Sequence, residues 1–497
     1  MRLFTLLLFL LTTFASMAQV TAPARGRSCA TDSYLEVMKQ QDPGFERRNK
    51  LALEAVQQAM RKQPEGQPLR QATVTVPVVF HVVYNKQSEN IRDEQILSQL
   101  AVLNEDFRRM NADTINTPEY FRSLAADTQI EFCLAIVDPQ GNPTTGITRT
   151  QTTKDSFSYF SDHVKSAANG GVDAWDYTQY LNIWICNLGN EELGYASSPG
   201  AAPGRDGVVV HHRSVGAAPF NTSMWAFNLG RTATHEVGHW LGLKHIWGLG
   251  ITCKDSDDID DTPNQLSETV GCPDGVMLSC ENGPNGNMWQ NYMDYTDDAC
   301  MNLFTGGQAT YMRSVLQSAR SYVYNSSACS GELRSRFRVA QPEDTLIAVE
   351  DQVQFQGSFA GFKPTTWLWH FEGGTPATST EQNPTVRYSR PGKYRVTLTT
   401  SNESMSHTLE KEDYIYVTPN NVRVYPNPAS GFITIEQAAR QELQKVELLN
   451  RYGQILLKEQ LQDRVIRLDV RGLPAGMYIL RIAGTNGLHV EKVSIVK

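Results

Sequence analysis

The residues with the most distinctive chemistry lie in one short segment, THEVGHWLGLKH, at residues 234–245. On a helix, His235 and His239 lie one turn apart on the same face, so both imidazoles can bind one metal ion. Glu236 lies beside them and is expected to act as the general base for a water molecule rather than to bind the metal directly. This part of the segment therefore predicts a hydrolytic metal site.

The third ligand depends on where the helix ends. His245 is ten residues after His235, and on an unbroken helix it would point away from the site. Gly242 can take the left-handed conformation that ends the helix and lets His245 turn back. Three nitrogen ligands leave the fourth position of a zinc ion open, as a catalytic site requires. The alternative, a helix with accidentally spaced histidines, does not account for Gly242 and His245 at the required offsets.

A methionine follows about fifty residues later, in the segment NYMDY at residues 291–295. With the histidine segment, it resembles the metzincin clan of zinc metallopeptidases. The resemblance implies that Met293 forms an apolar floor under the histidines. It also implies that Tyr295 binds or approaches the zinc and stabilises the oxyanion. A lone Met-Asp-Tyr would more often be ordinary core and loop.

Within this clan, HEVGHWLGLKH and NYMDYTDDACMNLFT are similar to the pappalysin family, over about residues 73–330. In that family an acidic residue after the methionine turn lies at the base of the primed-side specificity pocket, and it corresponds to Asp298. A buried carboxylate there implies a preference for Arg or Lys on the carboxyl side of the cut bond, because a buried cation needs a paired anion. A solvated loop aspartate is the alternative.

The region between the zinc helix and the end of the methionine turn contains four cysteines. Spacing alone allows three pairings of four cysteines. The pappalysin resemblance implies two disulfides, Cys253 with Cys280 and Cys272 with Cys300. Such bridges would constrain a long, irregular segment that has little core of its own.

The same region contains the acidic run DSDDIDDT at residues 255–262. Clustered carboxylates suit calcium, which takes several oxygen ligands, although the spacing is not that of an EF-hand. The expected ligands are Asp257, Asp258, Asp261 and Thr262. A merely solvated acidic loop is the alternative.

The N-terminal part of the chain predicts export and latency. Residues 1–18 have the pattern of a secretory signal peptide, and residues 19–60 are interpreted as a pro-segment with helical sequence from Leu35 to Arg61. Cys29 could bind zinc at the open position and displace the catalytic water, as a cysteine switch. A disulfide with Cys133, Cys186 or Cys329 is the alternative. The basic residues of the segment would be self-cleavage sites for an enzyme that prefers them: Arg47, Arg48, Lys50, Arg61 and Lys62.

The fold class expected for the chain is α+β. A metzincin-type catalytic domain over residues 61–333 would have a twisted, mostly parallel sheet with a backing helix and an active-site helix, followed by two small all-β sandwiches. Strands are predicted at residues 73–84, 130–137 and 180–186, and a backing helix at 91–110. Residues 193–196 and 208–210 should form the sheet edge that binds substrate backbone. His81 is expected to be a core residue.

Two further domains follow. Residues 334–418 contain WLWHFEGG and PGKY and resemble a PKD-type β-sandwich. Residues 419–497 contain YPNP and PAGMY and resemble the C-terminal sorting domain of the type IX secretion system, which implies release or attachment at the outer surface of a gram-negative bacterium. A further binding sandwich is the alternative for the last domain.

Charge and hydropathy limit the partners. A net charge of −8 argues against nucleic acid, and no stretch after the signal peptide is long enough to span a membrane. The predicted function is a secreted zinc endopeptidase, made as a latent precursor, with protein substrates, the type IX machinery as a partner and a monomeric catalytic domain. An inactive surface adhesin is the main alternative, and a non-peptidase zinc hydrolase is a weaker one.

Overall fold

The structure is a computed structural model that describes residues 26–61, 72–189, 192–223, 226–248, 250, 252–341, 345–418, 422–437, 443–460, 465–484 and 487–496. The predicted signal peptide lies outside the described residues. No helix within these ranges is both long and apolar enough to cross a membrane.

The predicted pro-segment contains two helices, α1 (Thr31–Gln41) and α2 (Phe45–Arg61). The sequence predicted helical structure from Leu35, but the first helix begins four residues earlier and the two are separated at residues 42–44. Pro43 explains the break, because proline disfavours helical geometry at the preceding residue and has no N–H to donate. Asp42 is accordingly extended, with φ −125° and ψ 96°.

The catalytic domain is built on a six-stranded sheet in the order β2-β1-β4-β6-β5, with β3 also paired to β1. All pairs are parallel except β5 with β6, so the mostly parallel sheet is confirmed. Its strands are β1 (Val74–Tyr84), β2 (Ile130–Leu134), β3 (Ile147–Gln151), β4 (Leu181–Cys186), β5 (Gly194–Ala196) and β6 (Val208–His211). The second predicted strand is shorter than expected and ends at Leu134.

Within the described part of the catalytic domain, five α-helices accompany this sheet: α3 (Asp93–Phe107), α4 (Glu119–Arg122), α5 (Arg231–Trp240), α6 (Gly306–Gln317) and α7 (Ser321–Tyr324). The main core lies between one face of the sheet and helices α3, α5 and α6. The pro-segment helix α1 contributes Tyr34, Val37 and Met38 to a second core on the other face. Helix α1 therefore covers apolar surface of the catalytic domain.

His81 in β1 is a fully buried core residue, as predicted. Its ring nitrogens lie 2.8 Å from Thr148 Oγ1 and 3.0 Å from Asn182 Oδ1. Burial lowers its pKa to about 4, so the imidazole is neutral.

Two β-sandwiches follow the catalytic domain. The first has sheets in the orders β12-β10-β14-β15-β8 and β11-β13-β9-β7, and the second has β16-β17-β20 and β19-β18-β21-β22. The strands of the first are β7 (Arg334–Val339), β8 (Leu346–Ala348), β9 (Gln352–Ala360), β10 (Thr366–Phe371), β11 (Gly374–Thr375), β12 (Thr378–Ser379), β13 (Thr385–Tyr388), β14 (Gly392–Ser401) and β15 (Ser406–Thr418). Those of the second are β16 (Val422–Tyr425), β17 (Phe432–Gln437), β18 (Leu443–Leu449), β19 (Ile455–Gln460), β20 (Val465–Asp469), β21 (Gly476–Gly484) and β22 (Gly487–Ile495).

The described residues contain three disulfides. Cys253 is bonded to Cys280 and Cys272 to Cys300, which are the pairs implied by the resemblance. The third joins Cys133, next to the end of β2, to Cys329, 196 residues later. Cys29 and Cys186 are free thiols, so the predicted alternative of a disulfide at Cys29 is not what the structure contains.

Candidate active site

Helix α5 ends at Trp240, which leaves the chain free to reverse before His245. Gly242 has φ 86°, its N–H donates to His239 O at 2.8 Å, and the N–H of Leu243 donates to Gly238 O at 3.0 Å. These are the two hydrogen bonds of a Schellman motif, which reverses the chain after a helix. The reversal brings His245 back to the two histidines of the helix.

The three histidines converge on one point. Their Nε2 atoms are separated by 3.1 Å between His235 and His239, 3.1 Å between His239 and His245, and 3.3 Å between His235 and His245. A tetrahedral zinc with Zn–N bonds of about 2.05 Å would hold its nitrogens about 3.3 Å apart. The spacing therefore fits one zinc ion bound by all three side chains.

The electrostatics of the site favour the form of histidine that binds metal. Burial and the neighbouring imidazoles lower the pKa of His235 well below its ordinary value and that of His239 to about 3. Both rings are therefore neutral at physiological pH and offer a lone pair.

Met293 lies directly under the helix, fully buried. A Cβ atom placed on Gly238 would lie 2.5 Å from the Met293 sulfur, so the glycine is what allows this close packing. Met293 thus packs against the helix that carries His235 and His239, and any larger residue at position 238 would displace it.

Glu236 lies between the helix and the edge strand β5. Gly194 of that strand leaves it room, since a Cβ there would be 2.8 Å from Glu236 Cγ. Thr31 Oγ1 donates to Glu236 Oε2 at 2.9 Å and accepts from the N–H of Ala196 at 2.9 Å. Burial raises the pKa of Glu236 to about 7, against the opposing effect of its hydrogen bonds to Cys29 and Thr31. Thr31 of the predicted pro-segment therefore contacts the predicted general base directly.

Cys29 forms a cluster with the three histidines. One potential ligand atom from each of the four residues lies within 4.8 Å of all the others, and this is the one group of at least three His, Cys, Asp or Glu side chains in the described ranges that could hold a metal ion. Burial, and next the Glu236 carboxyl, raise the pKa of the thiol, so its thiolate needs a neighbouring cation to form. Tyr295 donates from its hydroxyl to the carbonyl oxygen of Cys29 at 3.1 Å.

Asp298 is fully buried and binds a pro-segment arginine. Its Oδ1 lies 2.6 Å from Nη2 of Arg27, whose side chain is 1% exposed. Its Oδ2 accepts from the backbone N–H groups of Leu229 at 2.8 Å and Arg231 at 3.2 Å. The guanidinium also lies over the ring of Phe227, at 5.0 Å from its centroid. The predicted alternative of a solvated loop aspartate does not fit this position.

Comparisons with known proteins agree with this geometry. The sequence profile of the M43 peptidases, described as pregnancy-associated plasma protein-A, matches residues 165–317. An extracellular metalloprotease of Colletotrichum graminicola is 35% identical over 260 residues, which are 50% of this chain and 79% of the relative. The chain belongs to the pappalysin family of metallopeptidases.

Solved pappalysin structures extend the match. Mature mirolysin of Tannerella forsythia in complex with a cleaved peptide is 51% identical and covers 52% of this chain and 97% of its own, with a TM-score of 0.50. A promirolysin mutant from the same organism is 46% identical and covers 61% and 98%, with a TM-score of 0.55. The match is longer for the precursor than for the mature enzyme.

The two C-terminal domains also match known families. The PKD domain profile matches residues 339–417, and the profile of the secretion system C-terminal sorting domain matches residues 423–497. This pappalysin is therefore a secreted metalloendopeptidase with a catalytic metal, and its tail directs it to type IX secretion.

The residues predicted to bind calcium in this pappalysin have separate surroundings. Asp257 is buried and accepts from Thr262 Oγ1 at 2.8 Å. Asp258 is exposed and paired with Lys244 at 2.5 Å. Asp261 instead accepts from Thr305 Oγ1 at 2.6 Å and from the N–H of Gly307 at 2.7 Å, which places it at the start of α6. Of these four residues, Asp257 and Thr262 contact each other, whereas Asp258 and Asp261 contact other residues.

The carboxyl of Asp32 also reaches the site, with Oδ2 at 2.9 Å from Nδ1 of His245. Sequence reasoning missed four residues of the site: Arg27, Thr31, Asp32 and Gly194. The first three flank Cys29 in the sequence, so a basic, a hydroxyl and an acidic residue beside a proposed zinc ligand were the available signal. Gly194 carried no such signal, because its role depends on Glu236, which is 42 positions further along the chain.

Proposed function

We propose that the chain is made as a latent zinc endopeptidase that prefers Arg or Lys on the carboxyl side of the cut bond, and that residues 27–32 keep it inactive. The observation that carries this proposal is the path of these residues through the cleft. Arg27 contacts Asp298, Cys29 lies beside the three histidines, and Thr31 holds Glu236. One short segment thus contacts the specificity pocket, the metal site and the general base.

The direction of this segment supports its inhibitory role. Cys29 pairs with Gly194 of β5 in a parallel bridge, with hydrogen bonds from Leu193 N to Ser28 O at 2.9 Å and from Ala30 N to Gly194 O at 3.0 Å. A metzincin substrate is expected to pair antiparallel with the same edge. The pro-segment therefore runs opposite to a substrate, which explains how Arg27, on the N-terminal side of Cys29, reaches a primed-side pocket.

A second contact anchors the pro-segment away from the zinc site. The hydroxyl of Tyr34 donates to Asp162 Oδ2 at 2.5 Å and lies 3.2 Å from Lys165 Nζ. Tyr195 of β5 donates to the other oxygen of Asp162 at 2.9 Å. All of these side chains are buried. This network holds α1 on the sheet face, so release of Cys29 alone would not detach the whole segment.

Catalysis is assigned to the side chains that the segment blocks. Zinc held by His235, His239 and His245 would supply Lewis acidity toward water and toward the scissile carbonyl. Glu236 takes a proton from water and transfers it to the leaving amine. Tyr295, whose hydroxyl is bound to Cys29 O in the precursor, becomes free to donate to the oxyanion after the segment leaves.

Asp257 supports calcium as a structural ion. Burial raises the pKa of this carboxyl to about 7, although Thr262 and the N–H of Ile259 donate to it. A buried carboxylate with neutral partners gains from a bound cation, and calcium prefers oxygen ligands. Thr262 is the second expected ligand, and Asp258 and Asp261 are the less favoured ones because of their other contacts.

Cleavage of a peptide library tests the catalytic and specificity proposals together. The mature enzyme should cut on the amino side of Arg and Lys, as read from the new termini by mass spectrometry, and a chelator should abolish cleavage until zinc is restored. The precursor should remove its own pro-segment at basic residues, whereas its Glu236→Gln variant should stay full length. No cleavage by a zinc-loaded mature form would instead support the adhesin alternative.

A further inference from the structure

The Nδ1 atoms of the three histidines have hydrogen-bond partners in different parts of the chain. A backbone carbonyl can only accept, so the Nδ1–H groups of His235 and His239 donate, to Tyr292 O at 2.7 Å and to Leu243 O at 2.8 Å. The Nδ1 of His245 lies 2.9 Å from Oδ2 of Asp32. Two of the partners thus belong to the catalytic domain, and the third belongs to the pro-segment.

These partners determine which nitrogen of each ring can bind metal. A proton held at Nδ1 leaves Nε2 with the lone pair, and the three Nε2 atoms are the ones that converge. His245 is also stacked on Trp247, with centroids 4.5 Å apart and planes 3° apart. Stacking fixes the plane of the ring but not the position of its proton. In the described structure, the contact with Asp32 favours the proton at Nδ1 of His245, which leaves Nε2 free to bind the metal.

Asp32 is well placed to act with Cys29. It lies three residues after the cysteine, in the first turn of α1. Thr31, between them, is held by Ala196 and Glu236. The same anchored turn therefore presents a fourth potential ligand to the metal and a carboxylate to one of the three histidines.

We propose that the pro-segment is a zinc-retention element as well as an inhibitor, and that Asp32 is a positioning residue for the zinc ligand His245. The proposal rests on the proposed zinc site. The precursor should hold zinc more tightly than the mature enzyme for two separable reasons, the Cys29 thiolate and the Asp32 carboxylate. Loss of a carboxylate behind a metal-binding histidine typically weakens metal affinity 10- to 100-fold. Because the Asp32 side chain is 68% exposed, we expect the lower end, about tenfold.

The test measures zinc release rather than proteolysis. Precursors that carry Glu236→Gln, so that none can process itself, are loaded with zinc and mixed with excess chromogenic chelator. Asp32→Ala should release zinc about tenfold faster than the parent, and Asp32→Asn, which keeps an acceptor without the charge, should fall between them. Glu36→Gln is the matched control, since it removes the same charge one turn further along α1, where Glu36 pairs with Lys39. It should leave the rate unchanged.

Two further measurements distinguish a failure of the role proposed for Asp32 from a failure of the proposed zinc site. These variants cannot process themselves, so an added protease removes their pro-segment. The mature form should then release zinc faster than the parent precursor, and at the same rate whether it was produced from the parent or from Asp32→Ala. The visible spectrum of the cobalt-loaded precursor should change with Asp32→Ala and not with Glu36→Gln, which reports the metal site rather than the stability of α1. Parental release by Asp32→Ala, with an unchanged cobalt spectrum, would overturn the role of Asp32. A precursor that binds no zinc would instead contradict the proposed zinc site.

Discussion

Replacement of Asp298 by asparagine should affect both the precursor and the mature enzyme. An asparagine oxygen can still accept from the N–H groups of Leu229 and Arg231, so the backbone around the pocket is preserved. Its amide NH₂ group, however, would face the guanidinium of Arg27, and both of these groups are hydrogen-bond donors. Arg27 is 1% exposed, so the cation would remain buried with no counter-charge from this residue.

The magnitude follows from the burial of this pair. Loss of one partner of a buried ion pair typically costs about 3–5 kcal/mol. At about 1.4 kcal/mol per factor of ten, this corresponds to a loss of about 100- to 4,000-fold. In the mature enzyme, kcat/KM for a peptide with Arg after the cut bond should fall by that factor. A peptide with norleucine at the same position should be cut at nearly the parental rate.

The assay compares these two peptides on the parent, Asp298→Asn and Asp297→Asn. The last variant removes the same charge one residue away and should change the ratio of the two rates by no more than a few-fold. Equal loss on both peptides would refute the specificity role and indicate general damage to the site. In the precursor, a double-mutant cycle with Arg27→Met should show that the two substitutions are strongly coupled in unfolding free energy.

Three shorter predictions concern other groups. Glu236→Gln should abolish proteolysis while zinc content stays at one ion per chain, and residual turnover at more than a few per cent of the parental rate would exclude it as the base. Cys29→Ala should shorten the lag before self-processing at least tenfold, followed as pro-segment release on gels; an unchanged lag would contradict the switch. Without calcium, the free energy of unfolding should fall by up to about 4 kcal/mol between about pH 4 and 7, because Asp257 in the native state keeps a proton that it has lost in the unfolded state. Asp257→Asn should remove that slope, and calcium should restore the stability of the parent above pH 7, as measured by urea unfolding.

The sequence by itself determined the features that depend on local geometry. His235, Glu236 and His239 lie within about one turn of a helix, and Gly242 follows within the next turn. The position of each is therefore fixed by backbone geometry that any helix shares. The long apolar run of β1 is local in the same sense, and a strand was found where it was predicted.

Tertiary structure alone decided the contacts between distant segments. Arg27 meets Asp298 across 271 positions, and Asp32 meets His245 across 213. Asp261 belongs to an acidic run in the sequence, but it caps a helix that begins 45 residues later. A charged residue has no local pattern that names its partner, because ion pairs and hydrogen bonds require proximity in space and not a spacing along the chain. The convergence of the three histidines could thus be predicted from the sequence, whereas the contacts that residues 27–32 make with this site could not.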